Sequence, residues 1–215
     1  MNANNILQYI IIAAEASSAF AGIWYFKTLK NTYWKYFACY CILIFANELF
    51  SLVVLDYFKE FRKYFYDAYG IPVQFLFLFW LYAYKSLQMS KLFKVSITLY
   101  LASFLPHFFY AERYSLINSM SYTVGCFLLL IMGILEFVKQ VNSDGILYFK
   151  QNKMFYINLG VVLFYVGTMP FFAFMRQLYD YDIDLFYNYR MFAFITTIIL
   201  YLSYTASFIW GKPKT

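Results

Sequence analysis

The sequence predicts an all-α polytopic membrane protein: a bundle of seven transmembrane helices with the N-terminus outside and the C-terminus in the cytoplasm. Three observations lead there. Of 215 residues, 63% are hydrophobic and 13% charged, whereas a soluble domain averages about 45–50% apolar and about 25% charged residues. The mean hydropathy is correspondingly high, +0.58. The apolar residues gather into seven runs, each near the roughly 20 residues that a helix needs to cross a bilayer. The basic residues concentrate in alternate connections, as loops retained in the cytoplasm require.

The first run, about 5–26, contains "AFA" at Ala19–Ala21, which mimics a signal-peptide cleavage site. No Lys or Arg precedes it, Glu15 interrupts its apolar stretch, and Lys27 and Lys30 follow it, so it reads as a retained helix. The further runs are about 34–55, 66–84, 92–110, 116–138, 154–175 and 185–210, and all seven form one transmembrane domain over 1–215. The connections are short and polar. The longest, "KQVNSDGILYFKQNK" at 139–153, carries an Asp-Gly turn signal. Pro106 and Pro170 interrupt the fourth and sixth runs, and Gly125, Gly160 and Gly167 permit close helix approach. Cys39, Cys41 and Cys126 lie in apolar runs and read as packing residues. No internal repeat is visible.

Connections one, three and five and the C-terminal segment hold eleven basic residues: Lys27, Lys30, Lys35, Lys85, Lys91, Lys94, Lys139, Lys150, Lys153, Lys212 and Lys214. The other three connections hold six, set among Asp56, Glu60, Asp67, Glu112, Asp180, Asp182 and Asp184. The positive-inside rule then places the C-terminus in the cytoplasm, and an odd number of crossings puts the N-terminus outside. Trp34 and Trp210 fall near the cytoplasmic interface, where aromatic anchors are expected. The net charge of +6 is explained by this bias and needs no nucleic acid.

Ionisable residues inside a span are rare and usually face the bundle interior or a cavity. Glu15 lies near the middle of the first helix, and Glu48, beside Asn47, in the outer half of the second. His107 follows Pro106 at the outer end of the fourth, Arg176 closes the sixth and Arg190 opens the seventh. Gln74 and Asn118 sit at matching depth on the third and fifth. Together these eight predict one polar layer lining an outward-facing pocket for a small ligand. Each also has a plainer reading. His107, Arg176, Arg190 and Asn118 lie where headgroups solvate helix ends, Gln74 can bond a neighbouring backbone, and Glu15 can be a protonated hydrogen bonder. Glu48 resists this most, because a charge at a helix centre costs about 2.5–3.5 kcal/mol on insertion scales. It is expected either to stay protonated or to pair with Arg190 or Arg176.

Several chemistries are missing from the pattern. The last helix has no lysine for a retinal Schiff base, and a single histidine cannot supply paired haem ligands. No His-Glu-x-x-His zinc motif, Gly-x-Ser-x-Gly nucleophile or glycine-rich phosphate loop occurs. The expectation is therefore no enzyme, no cofactor and no metal site.

Three stretches carry a resemblance: "ANELFSLVV", "FYINLGVVLFYVGTMPFF" and "NYRMFAFITTIILYLSYTASFIWGK". They resemble a large group of small bacterial seven-helix membrane proteins, themselves similar to the membrane-sensing portions of histidine kinases, whose genes often lie near signalling genes. Its best points here are Glu48, the Tyr156–Gly160 pattern, and Gly167 followed by Pro170. Where that group carries an acidic residue before Phe in its third helix, this chain has Gln74. The resemblance implies a sensor-like or accessory signalling subunit of the inner membrane, with the bilayer, a small ligand and a membrane or cytoplasmic signalling protein as partners. A small-solute or proton-coupled transporter and a structural subunit of a larger membrane complex remain as alternatives.

Overall fold

The structure, a computed structural model, describes residues 3–53, 59–106 and 119–212. Among these it is 90% helix with no strand, apart from an isolated parallel bridge between Asn152 and Lys212. Seven helical runs are labelled here: α1 (Ala3–Trp24), α2 (Trp34–Val53), α3 (59–86), α4 (Ser90–Ala102), α5 (Ser119–Val141), α6 (Lys153–Ala173) and α7 (Ile183–Ile209). Five of them, α1, α2, α5, α6 and α7, are long and apolar enough to cross a bilayer, which marks the chain as a membrane protein.

The third and fourth predicted segments look different. The predicted run 66–84 lies within α3, which starts earlier, because the "KEFRKYF" stretch of the predicted second connection is itself helical. α3 is an α-helix interrupted by two wider π-helical stretches, Tyr66–Gly70 and Trp80–Ser86, with helical dihedrals at the residues that join the pieces. α4 has 13 residues, and the last part of the predicted run 92–110 lies outside the described residues. The predicted Asp-Gly turn at 144–145 opens a 3-10 helix, Asp144–Gln151.

Local chemistry sets two of the starts. Asn152 precedes α6, and its side chain accepts from the Met154 amide at 3.1 Å. Asp182 precedes α7 and accepts from the amides of Asp184 and Leu185 at 2.9 and 3.0 Å. Both satisfy amides that a helix start leaves without partners. Pro170 does not break α6, which runs on to Ala173; the Pro170 carbonyl accepts from the Phe174 amide at the helix end.

α7 packs against both α1 and α6, α6 continues onto α5, and α2 lies against α1. α3 runs through the middle. Its Phe77 stacks on Tyr40 of α2 at 4.1 Å between ring centroids. Its Phe75 meets Tyr100 of α4, Tyr122 of α5 and Tyr165 of α6 at 5.2, 5.6 and 5.2 Å. Aromatic pairs in this range add attraction beyond their buried area. α5 shows how the two faces separate. Tyr122, Cys126, Leu129, Met132 and Glu136 form its buried stripe, while Phe127, Ile131, Ile134 and Val138 form an exposed apolar one. A helix in water would hide that second stripe; one in lipid presents it.

The close approach of α6 and α7 requires a glycine. A Cβ on Gly160 would stand 2.8 Å from the Ser203 Cβ and 3.3 Å from the Leu200 Cα. Since one neighbour is backbone, neither helix can yield cheaply. Gly160→Val is expected to cost about 1–3 kcal/mol through overpacking, read as a lower unfolding temperature of the detergent-solubilised protein. An unchanged temperature would mean that the two helices do not pack this closely.

Candidate functional site

Polar side chains collect at three levels along α3. At one end, Glu48 of α2 accepts a hydrogen bond from the Tyr66 hydroxyl at 2.6 Å. Among the described residues no ion pair joins Glu48 to Arg190, and the Arg176 side chain lies outside them. Arg190 lies over the Phe194 ring, 5.4 Å from its centroid, on its own helix. The reason is geometric: the first π stretch of α3 carries a phenol to the carboxylate, so Glu48 gains its bond from a neutral donor. Asn47 adjoins it, and its buried Nδ2 has no hydrogen-bond partner. Arg176 belongs to the short helix Met175–Tyr181. His107 and Asn118 lie outside the described residues.

At mid-bundle, Glu15 of α1 is buried, and its Oε2 has no hydrogen-bond partner. Tyr201 of α7 lies beside it, and Glu48 is near enough to act on it electrostatically. The Ser17 hydroxyl of α1 bridges to Thr205 of α7 at 2.9 Å. Gln74 accepts a long bond from Tyr165 at 3.4 Å and lines a cavity of about 150 Å³ with Phe75, Tyr122 and Tyr201. The structure thus puts Glu15, Glu48, Asn47 and Gln74 in two adjoining levels, while Arg190 is engaged with Phe194.

The richest cluster is at the opposite end, and sequence reasoning did not single it out. Glu136 of α5 is 1% exposed. It accepts from the Ser86 hydroxyl at 2.7 Å and from Gln140 Nε2 at 3.0 Å. Lys139 stands 3.7 Å from the same carboxylate and donates to the Ser86 carbonyl at 2.6 Å. Ser86 ends the second π stretch of α3. One level deeper, Tyr82 of α3 donates to Asn158 of α6 at 3.0 Å, and Asn158 donates to the Gly133 carbonyl of α5 at 3.1 Å.

Glu136, Ser86, Gln140 and Lys139 border an open cavity of about 670 Å³, also lined by Tyr33, Trp34, Lys85, Lys153 and Lys212. Burial, and then the Glu136 charge, push the Tyr33 hydroxyl up to about 12, so it remains a hydrogen-bond donor at neutral pH. Lys153 opens α6, is buried, and donates to the Ser207 carbonyl at 2.8 Å. Its ammonium lies over Trp34 and Phe208, 6.0 and 5.5 Å from their centroids. Trp34, expected as an interfacial anchor, is instead buried against this lysine; Trp210 is exposed. The signal for Glu136 was its place four residues after Met132 on the inward stripe of α5. The signal for Lys153 was its position directly after a capping Asn.

No protein family, no curated protein and no solved structure matches the chain.

Glu136→Ala is expected to lower stability by about 1–3 kcal/mol, because Ser86 and Gln140 lose a buried partner. Glu136→Gln, which keeps an acceptor, should lose less. Unfolding of both variants in detergent checks this; equal, negligible losses would show that the cluster is solvated rather than buried.

Proposed function

We propose that the chain is a sensor-like or accessory signalling protein of the bacterial inner membrane, with seven crossings, an outer N-terminus and a cytoplasmic C-terminus. α3 and α4 supply the two crossings beyond the five long apolar helices. A small ligand enters the outer half of the bundle near Glu48, Asn47, Glu15 and Gln74, and a protein partner reads the basic cytoplasmic end.

One observation carries this reading. α3 contains two π-helical stretches, and each is tied by a hydrogen bond to a carboxylate of a neighbouring helix: Tyr66 to Glu48 and Ser86 to Glu136. Such stretches frequently occur at functional sites, where the helix departs from the regular hydrogen-bond ladder. The two ties are about 30 Å apart along the helix, about the thickness of the hydrocarbon core. A ligand that displaces Tyr66 from Glu48 rotates or shifts α3, and the Ser86–Glu136–Lys139 cluster changes at the far end. The ligand shifts this equilibrium only by its difference in affinity for the two states.

A second reading has its own support. Glu15 and Glu48 lie close enough to interact inside the bundle, and paired intramembrane carboxylates suit proton-coupled transport. Solute flux into liposomes containing the purified protein distinguishes this from sensing.

Two outcomes are expected. Native mass spectrometry of protein extracted gently from its own membrane should retain a small molecule, and Glu48→Gln should lose it while keeping the same unfolding temperature. Spectra without a bound molecule in either protein would contradict the ligand site. For orientation, cysteine introduced at Lys212, in protein lacking Cys39, Cys41 and Cys126, should react with an impermeant thiol reagent only after the cells are opened. Labelling of intact cells would reverse the topology.

A further inference from the structure

Among the described residues, the cavity at the basic end carries an excess of positive charge. Among the described residues its lining includes Lys85, Lys139, Lys153 and Lys212 against one carboxylate, that of Glu136. Glu136 is already engaged by Ser86, Gln140 and Lys139. Lys153 is the unusual member. It is 3% exposed, and among the described residues no carboxylate lies within ion-pair distance of it. One of its three N–H groups meets the Ser207 carbonyl; the ring faces of Trp34 and Phe208 offer only partial compensation. Burying an ammonium without a counter-charge is costly.

The position makes the cost larger. Lys153 is the first residue of a 21-residue helix. That terminus carries the positive end of the helix dipole, where an anion is favoured and a cation is not. Nor does the site give Lys153 room to withdraw, since a Cβ on Gly211 would lie within 2.4 Å of the Lys153 Cγ. The chain at Gly211 is thus packed directly onto the stem of this lysine, which lines the cavity.

We infer that this cavity binds a phosphate-bearing anion, held by Lys153 at the start of α6 together with Lys85, Lys139 and Lys212. A phosphate supplies the missing negative charge to several point-charge donors at once. Asn152 and Gln140 also line the cavity and add neutral polar groups. A volume of about 670 Å³ falls in the range of small-molecule sites and leaves space beside Tyr33 and Trp34 for an organic body. Two sources share this chemistry: a soluble organic phosphate and the headgroup of an anionic lipid. The site is at the other end of the bundle from Glu48 and stands independently of the signalling reading.

The experiment uses the full chain in phosphatidylcholine nanodiscs, with thermal unfolding as the readout. Glycerol 3-phosphate and inorganic phosphate are titrated at matched ionic strength, and in a parallel arm phosphatidylglycerol replaces part of the lipid. A rise in unfolding temperature with the soluble phosphates supports the site and assigns it to a free anion. A rise only with phosphatidylglycerol supports it and assigns it to a lipid headgroup. In either case Lys153→Met should weaken the response roughly ten-fold or more, as loss of a charged hydrogen-bond partner implies. Should that variant not fold, Lys85→Gln combined with Lys212→Gln removes two charges that are not buried, and is expected to weaken binding several-fold with the ligand-free unfolding temperature unchanged. No stabilisation in either arm overturns the inference. So does stabilisation of equal size in the substituted proteins, which would be an adventitious ion only.

Discussion

Inside a bilayer no water is present to complete a broken hydrogen bond, so each polar group in the core of this bundle must be met by another part of the protein. That constraint organises the molecule around α3. Its Tyr66, Gln74, Tyr82 and Ser86 meet Glu48 of α2, Tyr165 and Asn158 of α6, and Glu136 of α5. Between these polar levels, Phe75 and Phe77 carry the aromatic contacts to the surrounding helices. The heavy use of Phe and Tyr, 27 and 24 residues, thus has a structural purpose. Rings fill the gaps between helices, and the phenols among them let the same side chain end in a hydrogen bond.

The polar levels are not equally satisfied. The Asn158 amide is used on both sides, donating to Gly133 and accepting from Tyr82, which suits a fixed joint between α3, α5 and α6. Glu15 and Asn47 each leave a buried polar atom without a partner. Unsatisfied groups of this kind are costly to keep, and they occur at the level where the outer ligand is proposed to enter. At the other end, Lys153 donates to the Ser207 carbonyl but, among the described residues, has no counter-charge. Incompletely met polar groups thus occur both around Glu15 and Asn47 and at the basic end, an arrangement that suits a protein that meets something else at each place.

Much of this was legible in the sequence. The length and apolar character of 34–53 and 185–209 announce helices whatever their neighbours are, and Gly160 announces a close contact. The alternation of basic connections is reflected in one place, since residues of all four basic segments line the same cavity. What stayed hidden depends on contacts between residues distant in the chain. Glu136 precedes Lys139 and Gln140, so it reads as the solvated end of a helix until Ser86 is brought against it. Lys153 reads as one more loop charge until α7 packs over it. For Glu48 a sequence indicates depth but not azimuth: Arg190 has a suitable depth, whereas the π stretch of α3 brings Tyr66 to Glu48.

The central claim is that α3 links the two ends as one unit. The direct measurement is a double-mutant cycle on unfolding in lipid, with Tyr66→Phe at one end and Ser86→Ala at the other. Substitutions farther apart than about 7–10 Å with no shared partner normally add to within about 0.3–0.5 kcal/mol, and these two positions are about 30 Å apart along the helix. A coupling energy clearly above that limit is the result the account predicts. Simple additivity would contradict it, leaving α3 as a central strut with two unrelated polar contacts.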